Sequence, residues 1–279
     1  MKYAALVSVL LVACGGGGGD GGDDGSGSGS DDTNLDIGCW NLRMFESVAL
    51  APRIAELIES ANLDVVTFEE IESQNAFDAI ISALPGWQGE LLAPLGSATG
   101  GIGIAWDGAA LTDMGHETVL QPTAANPRPV VRATFSVDGT LIDLYAVHLK
   151  AGTQPADEQA RVDGNAALEP IVRTRHDAGH PLALVLGDFN EDLHDTRSTD
   201  VFRPWDPARY TMLDTQLAAN GGITFLPANI MLDHMFATKE MPDVSPEIPT
   251  WAMDMSDYET AVSDHLPLLL HIPRASLAP

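Results

Sequence analysis

The chain has 279 residues, 40 of them acidic and 14 basic, for a formal net charge of −26, and 45% of it is hydrophobic. Length and hydrophobic share supply a sizeable core, while the charge balance excludes a general polyanion-binding surface, which needs clustered Lys and Arg. A phosphate-bearing substrate stays open, because a bound divalent cation can bring positive charge locally.

Met1–Ala13 carries one cation, Lys2, and then an apolar run from Ala4 to Ala13. The run is well short of the roughly 20 residues that span a bilayer and fits the core of a signal peptide. It ends in Leu11-Val12-Ala13-Cys14, which resembles the cleavage box of bacterial lipoproteins. That resemblance implies cleavage before Cys14, a lipid on Cys14 and export as a lipoprotein. Gly15, where an aspartate would signal retention, points by the same likeness to the outer membrane, on its periplasmic or its surface side. The plainer alternative is an ordinary secretory signal with an incidental cysteine. Only Gly, Ser and Asp follow up to Asp32, with nothing apolar to bury, so residues 14–33 read as a lipidated cysteine and a flexible tether. Removing Lys2 and the tether's five aspartates leaves 13 basic against 35 acidic residues in a body spanning 34–279. No composition shift or repeat divides that body, which reads as one domain and as a monomer. It holds one cysteine, Cys39, and therefore no internal disulfide.

Leu35–Trp40 reads as a first strand ending at Asn41. Pro52 suits the first turn of a helix, with Ile54, Leu57 and Ile58 on its apolar face. Val65–Phe68 is a β-branched strand that ends at Glu69 and Glu70. A second helix, Asn75–Leu84, stops at Pro85-Gly86. Strands follow at Ile102–Trp106, Val130–Val137 and Leu141–Val147, the last two joined by the hairpin signal Asp138-Gly139 and ending at His148. A helix over roughly Asp157–Thr174 leads to Leu182–Leu186, an apolar run that stops at Gly187 and carries Asp188 and Asn190 at its tip. Late strands are expected near Asp233–Ala237 and Leu266–Ile272. This order predicts an α+β fold, a four-layer α/β/β/α sandwich of two packed, mostly antiparallel sheets flanked by helices.

Asn41, Glu70, His148, Asp188 with Asn190, and Asp264 with His265 all stand at or beside strand ends. Taken singly, each is a turn residue, a solvated carboxylate or a structural histidine. Their repetition points to one shared pocket. Carboxylate and carboxamide oxygens suit Mg²⁺ or Mn²⁺, and the absence of a cysteine cluster or a close histidine pair disfavours zinc. Two histidines suit general acid–base work near neutral pH. No phosphate-binding loop and no nucleophile elbow is present, so Gly100-Gly101 reads as a bend. Metal-assisted hydrolysis of a phosphate ester fits these residue types best.

The ordered segments Asn41-Leu42-Arg43, Phe68-Glu69-Glu70-Ile71, Val147-His148-Leu149-Lys150, Gly187-Asp188-Phe189-Asn190, Leu232-Asp233-His234 and Ser263-Asp264-His265-Leu266-Pro267 resemble the endonuclease/exonuclease/phosphatase superfamily. The opening Ile37–Phe45 is most similar to its deoxyribonuclease branch. The resemblance implies Glu70 as the principal metal carboxylate, with Asn41 beside it and Asp264 as a further acidic metal-site residue. It implies His265 as the base that activates water, Asp233 as its orienting carboxylate, and His148 near the phosphate oxygens and leaving group. Asp188 and Asn190 position or protonate around the phosphate, and Arg128 matches an arginine that contacts it. Mg²⁺ is the implied cofactor, with Mn²⁺ or Ca²⁺ as alternatives. Glu69 replaces the family's usual glutamine, either adjusting metal affinity or pointing to solvent. His234 belongs behind the site at most. Thr99-Gly100-Gly101 offers no carboxylate where the deoxyribonuclease branch supports a histidine, and that branch's calcium loops and disulfides are not evident.

The expected activity is a metal-dependent phosphodiesterase, a nuclease on DNA or RNA. Alternatives are a phospholipid-headgroup or small phosphomonoester hydrolase with the same chemistry, and a non-catalytic surface-binding lipoprotein. Against a membrane-dipping surface, Trp205 and Trp251 each stand alone in proline-rich loops.

Overall fold

The computed structural model describes residues 33–92, 100–123, 126–195, 197 and 199–277. The expected leader, Cys14 and the tether as far as Asp32 lie outside the described residues, as does Thr99. Among the described residues no helix is long and apolar enough to cross a membrane.

The first half of the body runs β1 (Asn34–Phe45), α1 (Ala51–Ser60), β2 (Val65–Ile71), α2 (Gln74–Ala83), β3 (Trp87–Leu92), β4 (Gly101–Asp107), β5 (Thr112–Leu120), β6 (Val130–Val137) and β7 (Thr140–His148). It continues through α3 (Pro155–Asp177), β8 (Ala183–Asp188), β9 (Tyr210–Met212), α4 (Thr215–Ala219), β10 (Asp233–Thr238), α5 (Thr250–Asp254), α6 (Tyr258–Ala261) and β11 (Leu268–Pro273). One sheet has the order β11-β1-β2-β4-β3 and the other β5-β6-β7-β8-β10-β9. Each contains one parallel pair, β1 with β2 and β7 with β8, and is otherwise antiparallel. The expected four-layer sandwich is the fold observed.

Side-chain alternation assembles the layers. On β7 and β8, Leu144, Ala146, Leu184 and Leu186 enter the core that also holds Ile37, Cys39, Phe68 and Ile104. Tyr145, Val147 and Val185 face the other way and pack with Leu168 and Val172 of α3. On the far side, α1 buries Ile54, Leu57 and Ile58, and α2 buries Phe77 and Ile80. The Ser73 side chain caps α2 by accepting from the Ala76 N–H at 3.3 Å, a standard first-turn contact.

Several elements differ from their expected form. β1 continues through Asn41 to Phe45, because Arg43 and Met44 take left-handed φ of 48° and 52° and bulge the ladder between Asn41 and Phe45. The helix α3 begins at Pro155 and ends at Asp177, outside the expected 157–174, and is started by a capping box between Gln154 and Asp157. β11 starts at Leu268, just after Pro267, which has no N–H for the ladder. β3, β5 and β9 were not expected. β3 and β5 are edge strands with half-exposed, mixed sequences, so no apolar run marks them.

One backbone contact sets the position of Glu70. It sits on a bulge of β2 with φ 60°, where the β2–β4 ladder slips between Phe68 and Ile71. Gly100, at φ +68°, lies so close that a Cβ there would stand 2.4 Å from Glu70 Cα. The Gly100-Gly101 bend is therefore what allows the bulge. Gly100→Ala should cost about 2 kcal/mol in urea unfolding, combining φ strain with the clash. Gly179→Ala, at φ +99° with open space around its Cβ position, should cost less than Gly100→Ala.

Candidate active site

The strand register gathers the polar tips. His148 pairs with Asp188 across the parallel β7–β8 ladder, and Asp188 pairs with Asp233 across β8–β10. Each lies an even number of residues from inward-facing Ala146, Leu186 and Met235, so all three project between the sheets. In the facing sheet, Asn41 pairs with Glu69 across β1–β2. Gly187 lets the two sheets close over this row. Its φ is +132°, and a Cβ there would stand 2.2 Å from Val147 O and 2.8 Å from Glu69 Oε1.

His265 and Asp233 form the tightest pair, with Nδ1 and Oδ2 2.8 Å apart. This leaves Nε2 on the cleft side, 3.9 Å from Asp188 Oδ2. The backbone holding His265 is pinned from several directions. Its N–H donates to Ser263 Oγ at 3.0 Å, and Ser263 Oγ donates to Asn41 O at 2.7 Å. Its carbonyl accepts from Trp40 Nε1 and from the Tyr258 hydroxyl. The Phe225 ring lies 4.9 Å from the imidazole. Asp233 N–H donates to Thr224 Oγ1 at 3.1 Å.

Asp188 accepts from Asn41 Nδ2 at 3.1 Å and from the Asn190 N–H at 2.8 Å. Asn190, at φ 53°, donates its amide to Leu149 O at 3.2 Å. His148 Nε2 faces Asp188 Oδ2 at 3.4 Å and Glu70 Oε1 at 3.8 Å, whereas its Nδ1 is buried with no partner among the described residues. Glu70 Oε2 accepts from the Met44 N–H at 3.1 Å. Asp264 stands 3.5 Å from the Arg43 guanidinium at the cleft mouth.

Burial dominates the electrostatics. It raises the Asp188 carboxyl above its usual range, against the pull of His265, and Asp233 raises it further. Burial lowers the His265 imidazole, but the charge and hydrogen bond of Asp233, with Asp188 and Asp264 behind them, push it up to about 10. His148 falls well below its ordinary value through burial, with Arg128 and His265 adding to the effect. The floor therefore has an excess of acid and one histidine held neutral.

Glu70, His148, Asp188, Asn190, Asp264 and His265 line one cleft of about 430 Å³. Asn41 and Asp233 stand behind it in direct contact with Asp188 and His265. Arg128 is not a lining residue: it is buried, donates to Leu149 O at 3.0 Å, and is charge-coupled to Asp188 and Glu70. Glu69 does not point to solvent. It is fully buried, and neither carboxylate oxygen has a hydrogen-bond partner among the described residues. His234 is buried behind the cleft between Asp214, at 2.5 Å, and Glu191 O, at 2.7 Å. Trp205 is buried and stacked on Phe236 rather than exposed.

The donor set fits a hard cation. The cleft presents carboxylates from Glu70, Asp188 and Asp264, and Asp233 Oδ1 is buried without a partner. Oxygen donors with excess negative charge suit Mg²⁺ or Mn²⁺. A second grouping, Asp188, Asp233 and His265, also brings ligand atoms within 4.8 Å of one another, but its closest contact is the His265–Asp233 hydrogen bond.

Sequence reasoning did not single out Thr224, Phe225, Ser263, Asp192 or Arg197. Thr224 and Ser263 act through backbone groups, which no spacing rule reports. Phe225, Ala228, Ile230 and Leu232 form an apolar wall whose only trace in the sequence is a run of apolar residues before Asp233.

The model of the family described as Endonuclease/Exonuclease/phosphatase matches residues 38–265. Among solved structures, D. rerio TDP2 complexed with single-strand DNA product is 19% identical, covering 86% of this chain and 99% of that one, with a TM-score of 0.65. The human Nocturnin catalytic domain with bound sulfate is 15% identical, covering 86% and 94%, with a TM-score of 0.67. A mannosyl-6-phosphatase of Bacteroides thetaiotaomicron is 16% identical, covering 85% and 98%, with a TM-score of 0.62. At these identities the likeness is one of fold. No curated protein matches the chain.

Burial pushes the Glu69 carboxyl well above its ordinary value of 4.5, with Asp233, Asp188 and Glu70 adding to the shift. A raised folded-state value means that stability is fully present below about pH 4.5 and is lost as pH rises through the folded value. Glu69→Gln removes that titration. In chelator-treated samples its stability advantage over the natural chain should open above pH 4.5, by up to about 1.4 kcal/mol per pH unit. Chemical unfolding at a series of pH values measures this, and parallel curves would contradict it.

Proposed function

The chain belongs to the endonuclease/exonuclease/phosphatase family, and from that premise we propose that it is a divalent-metal-dependent phosphodiesterase acting on nucleic acid. The observation that carries the reading is the His265–Asp233 pair, which directs Nε2 into a cleft whose other polar groups include Glu70, His148, Asp188 and Asn190.

The base is His265. Nε2 of the neutral imidazole, the minor form near neutral pH while Asp233 and Asp188 push His265 up to about 10, takes a proton from the attacking water, and Asp233 on Nδ1 stabilises the imidazolium that forms. His148, kept neutral by burial, donates from Nε2 to a phosphoryl oxygen. Asn190 orients the phosphate with its side-chain amide. Asp188 positions the leaving oxygen and, with its carboxyl raised by burial, can return a proton to it. Glu70, with Asn41 and Asp264 nearby, would hold Mg²⁺, with Mn²⁺ or Ca²⁺ as alternatives. Bound there, the cation supplies charge neutralisation at the phosphoryl oxygens. Arg128 acts on the phosphate through the field it shares with Asp188 and Glu70.

The nucleic-acid reading is supported by the likeness to D. rerio TDP2 complexed with single-strand DNA product. The second reading is hydrolysis of a small phosphomonoester, favoured by the limited cleft volume and by the mannosyl-6-phosphatase among the similar structures. The leader, Cys14 and tether support the further reading of an exported lipoprotein held on a membrane.

Glu70→Gln and His265→Ala should each reduce Mg²⁺-dependent hydrolysis of bis-p-nitrophenyl phosphate by about 10²–10⁴-fold while circular dichroism shows both variants folded. Undiminished turnover in both would remove the assignment. A panel of single-stranded DNA, RNA, sphingomyelin and a sugar phosphate then separates the readings, and DNA or RNA should be cleaved fastest.

Cys14→Ser should move the protein from the detergent phase to the aqueous phase on phase partitioning and abolish palmitate labelling in cells. A soluble, unlabelled natural chain would point to the plain secretory alternative.

A further inference from the structure

The basic side chains of this acidic chain meet at a second place, away from the cleft. Arg132 and Thr134 of β6 and Asp143 and Tyr145 of β7 share the outward face of their sheet, since Arg132 pairs with Tyr145 and Thr134 with Asp143. Arg175 in the last turn of α3, and His180 beyond it, close over that face. With His116 and Glu117 of β5, Arg132, Thr134, Arg175 and His180 line a separate cavity of about 340 Å³, whereas Asp143 and Tyr145 are buried and do not line it. Tyr145 precedes His148 by three residues and Asp143 by five, about 10 and 17 Å along the strand.

The internal pairing of this cluster is incomplete in a particular way. Asp143 is satisfied: Oδ1 accepts from Thr134 Oγ1 at 2.5 Å and Oδ2 from Arg175 Nε at 2.9 Å. That pairing offsets its charge. Arg132 Nε, His180 Nδ1 and His116 Nδ1 are buried without hydrogen-bond partners among the described residues, and the Tyr145 hydroxyl lies against the Arg132 side chain. His180 Nδ1 lies 3.9 Å from Asp143, and His116 Nδ1 3.3 Å from Asp113. Glu117 holds the far end of the Arg132 guanidinium at 2.5 Å, but it is 57% exposed, and such rim pairs contribute about 1 kcal/mol or less. An incoming oxyanion can displace Glu117 and meet two guanidinium groups and an imidazole, each a donor to oxygen.

We propose that the cavity between Arg132, Arg175 and His180 is a second anion site that binds a phosphate group, free or at the end of a small monoester. Buried donors left without partners are costly, and a tetrahedral oxyanion satisfies several at once. The volume exceeds that of a phosphate ion, leaving room for a small ester group.

The test is a titration of the full chain with inorganic phosphate, in chelator at constant ionic strength, following the imidazole NMR resonances of His116 and His180. Both should shift saturably, and the same shifts should persist in His265→Ala, which alters the cleft. Arg132→Gln should weaken binding at least tenfold. Glu117→Gln, which removes the competing carboxylate, should tighten it several-fold, an effect that a purely structural network would not produce. Glycerol phosphate binding tighter than inorganic phosphate assigns the site to an esterified group, and the reverse assigns it to the free ion. The proposal is overturned by absence of saturation, by equal shifts with acetate, or by an Arg132→Gln variant that folds and binds unchanged.

Discussion

Acid crowded into a dry space is the condition around which the cleft is organised. Asp188, Asp233 and Glu69 are each no more than 2% exposed, and Glu70 joins them at the rim. Two unit charges 4 Å apart at an effective dielectric of about 20 repel by about 4 kcal/mol, so the group cannot be held fully ionised without help. The structure supplies that help in three forms. Asn41 donates to Asp188, His265 offers its imidazole to Asp233, and burial keeps protons on the carboxyls least able to lose them. A bound cation would add to the positive charge that buried Arg128 already brings beside Asp188 and Glu70.

The scarce arginines mostly build walls. Arg161 is fully buried and holds Glu191 Oε2, Lys150 O and Gly152 O, which fixes the segment 149–153 along one side of the cleft. Glu191 O in turn accepts from or faces His234, itself paired with Asp214. The row from Arg161 to Asp214 therefore reaches the back of the Asp233 strand without touching the cleft. Its work is positional: it sets where a tip residue ends up rather than what that residue does.

Apolar runs ending in polar residues made β2, β7, β8 and β10 legible in the sequence, and with them Glu70, His148, Asp188 and Asp233. Register then converted separate strand ends into one site, and register follows from alternation against a buried face. What could not be read was of two kinds. β3 and β5 are edge strands whose outer sides face water, so their mixed sequences carry no strand signal. Glu69 was ambiguous because a carboxylate beside a strand end is equally at home in solvent or inside. Only the approach of the facing sheet at Gly187 decides it. Thr224 and Ser263 serve the backbone, and their contacts depend on where a distant chain segment passes.

The charge distribution also bears on what the cleft can hold. A long polyanion needs a track of cations beyond the scissile phosphate. Here the rim offers Arg43, which is 53% exposed and already near Asp264, and Arg197, which is shared among Asp195, Glu158 and Glu191. The remaining wall is apolar, from Phe225 to Leu232. Such a surface gains little from backbone phosphates at a distance and more from a group that stacks on Phe225 while its phosphate reaches His265 and Asn190. Recognition would then reside in the one or two units flanking the reacting phosphorus, with a shallow dependence on salt. On the proposed nuclease reading this would favour a short or single-stranded nucleic acid over a long duplex, and it would bring the nuclease and small-ester readings closer together than their names suggest.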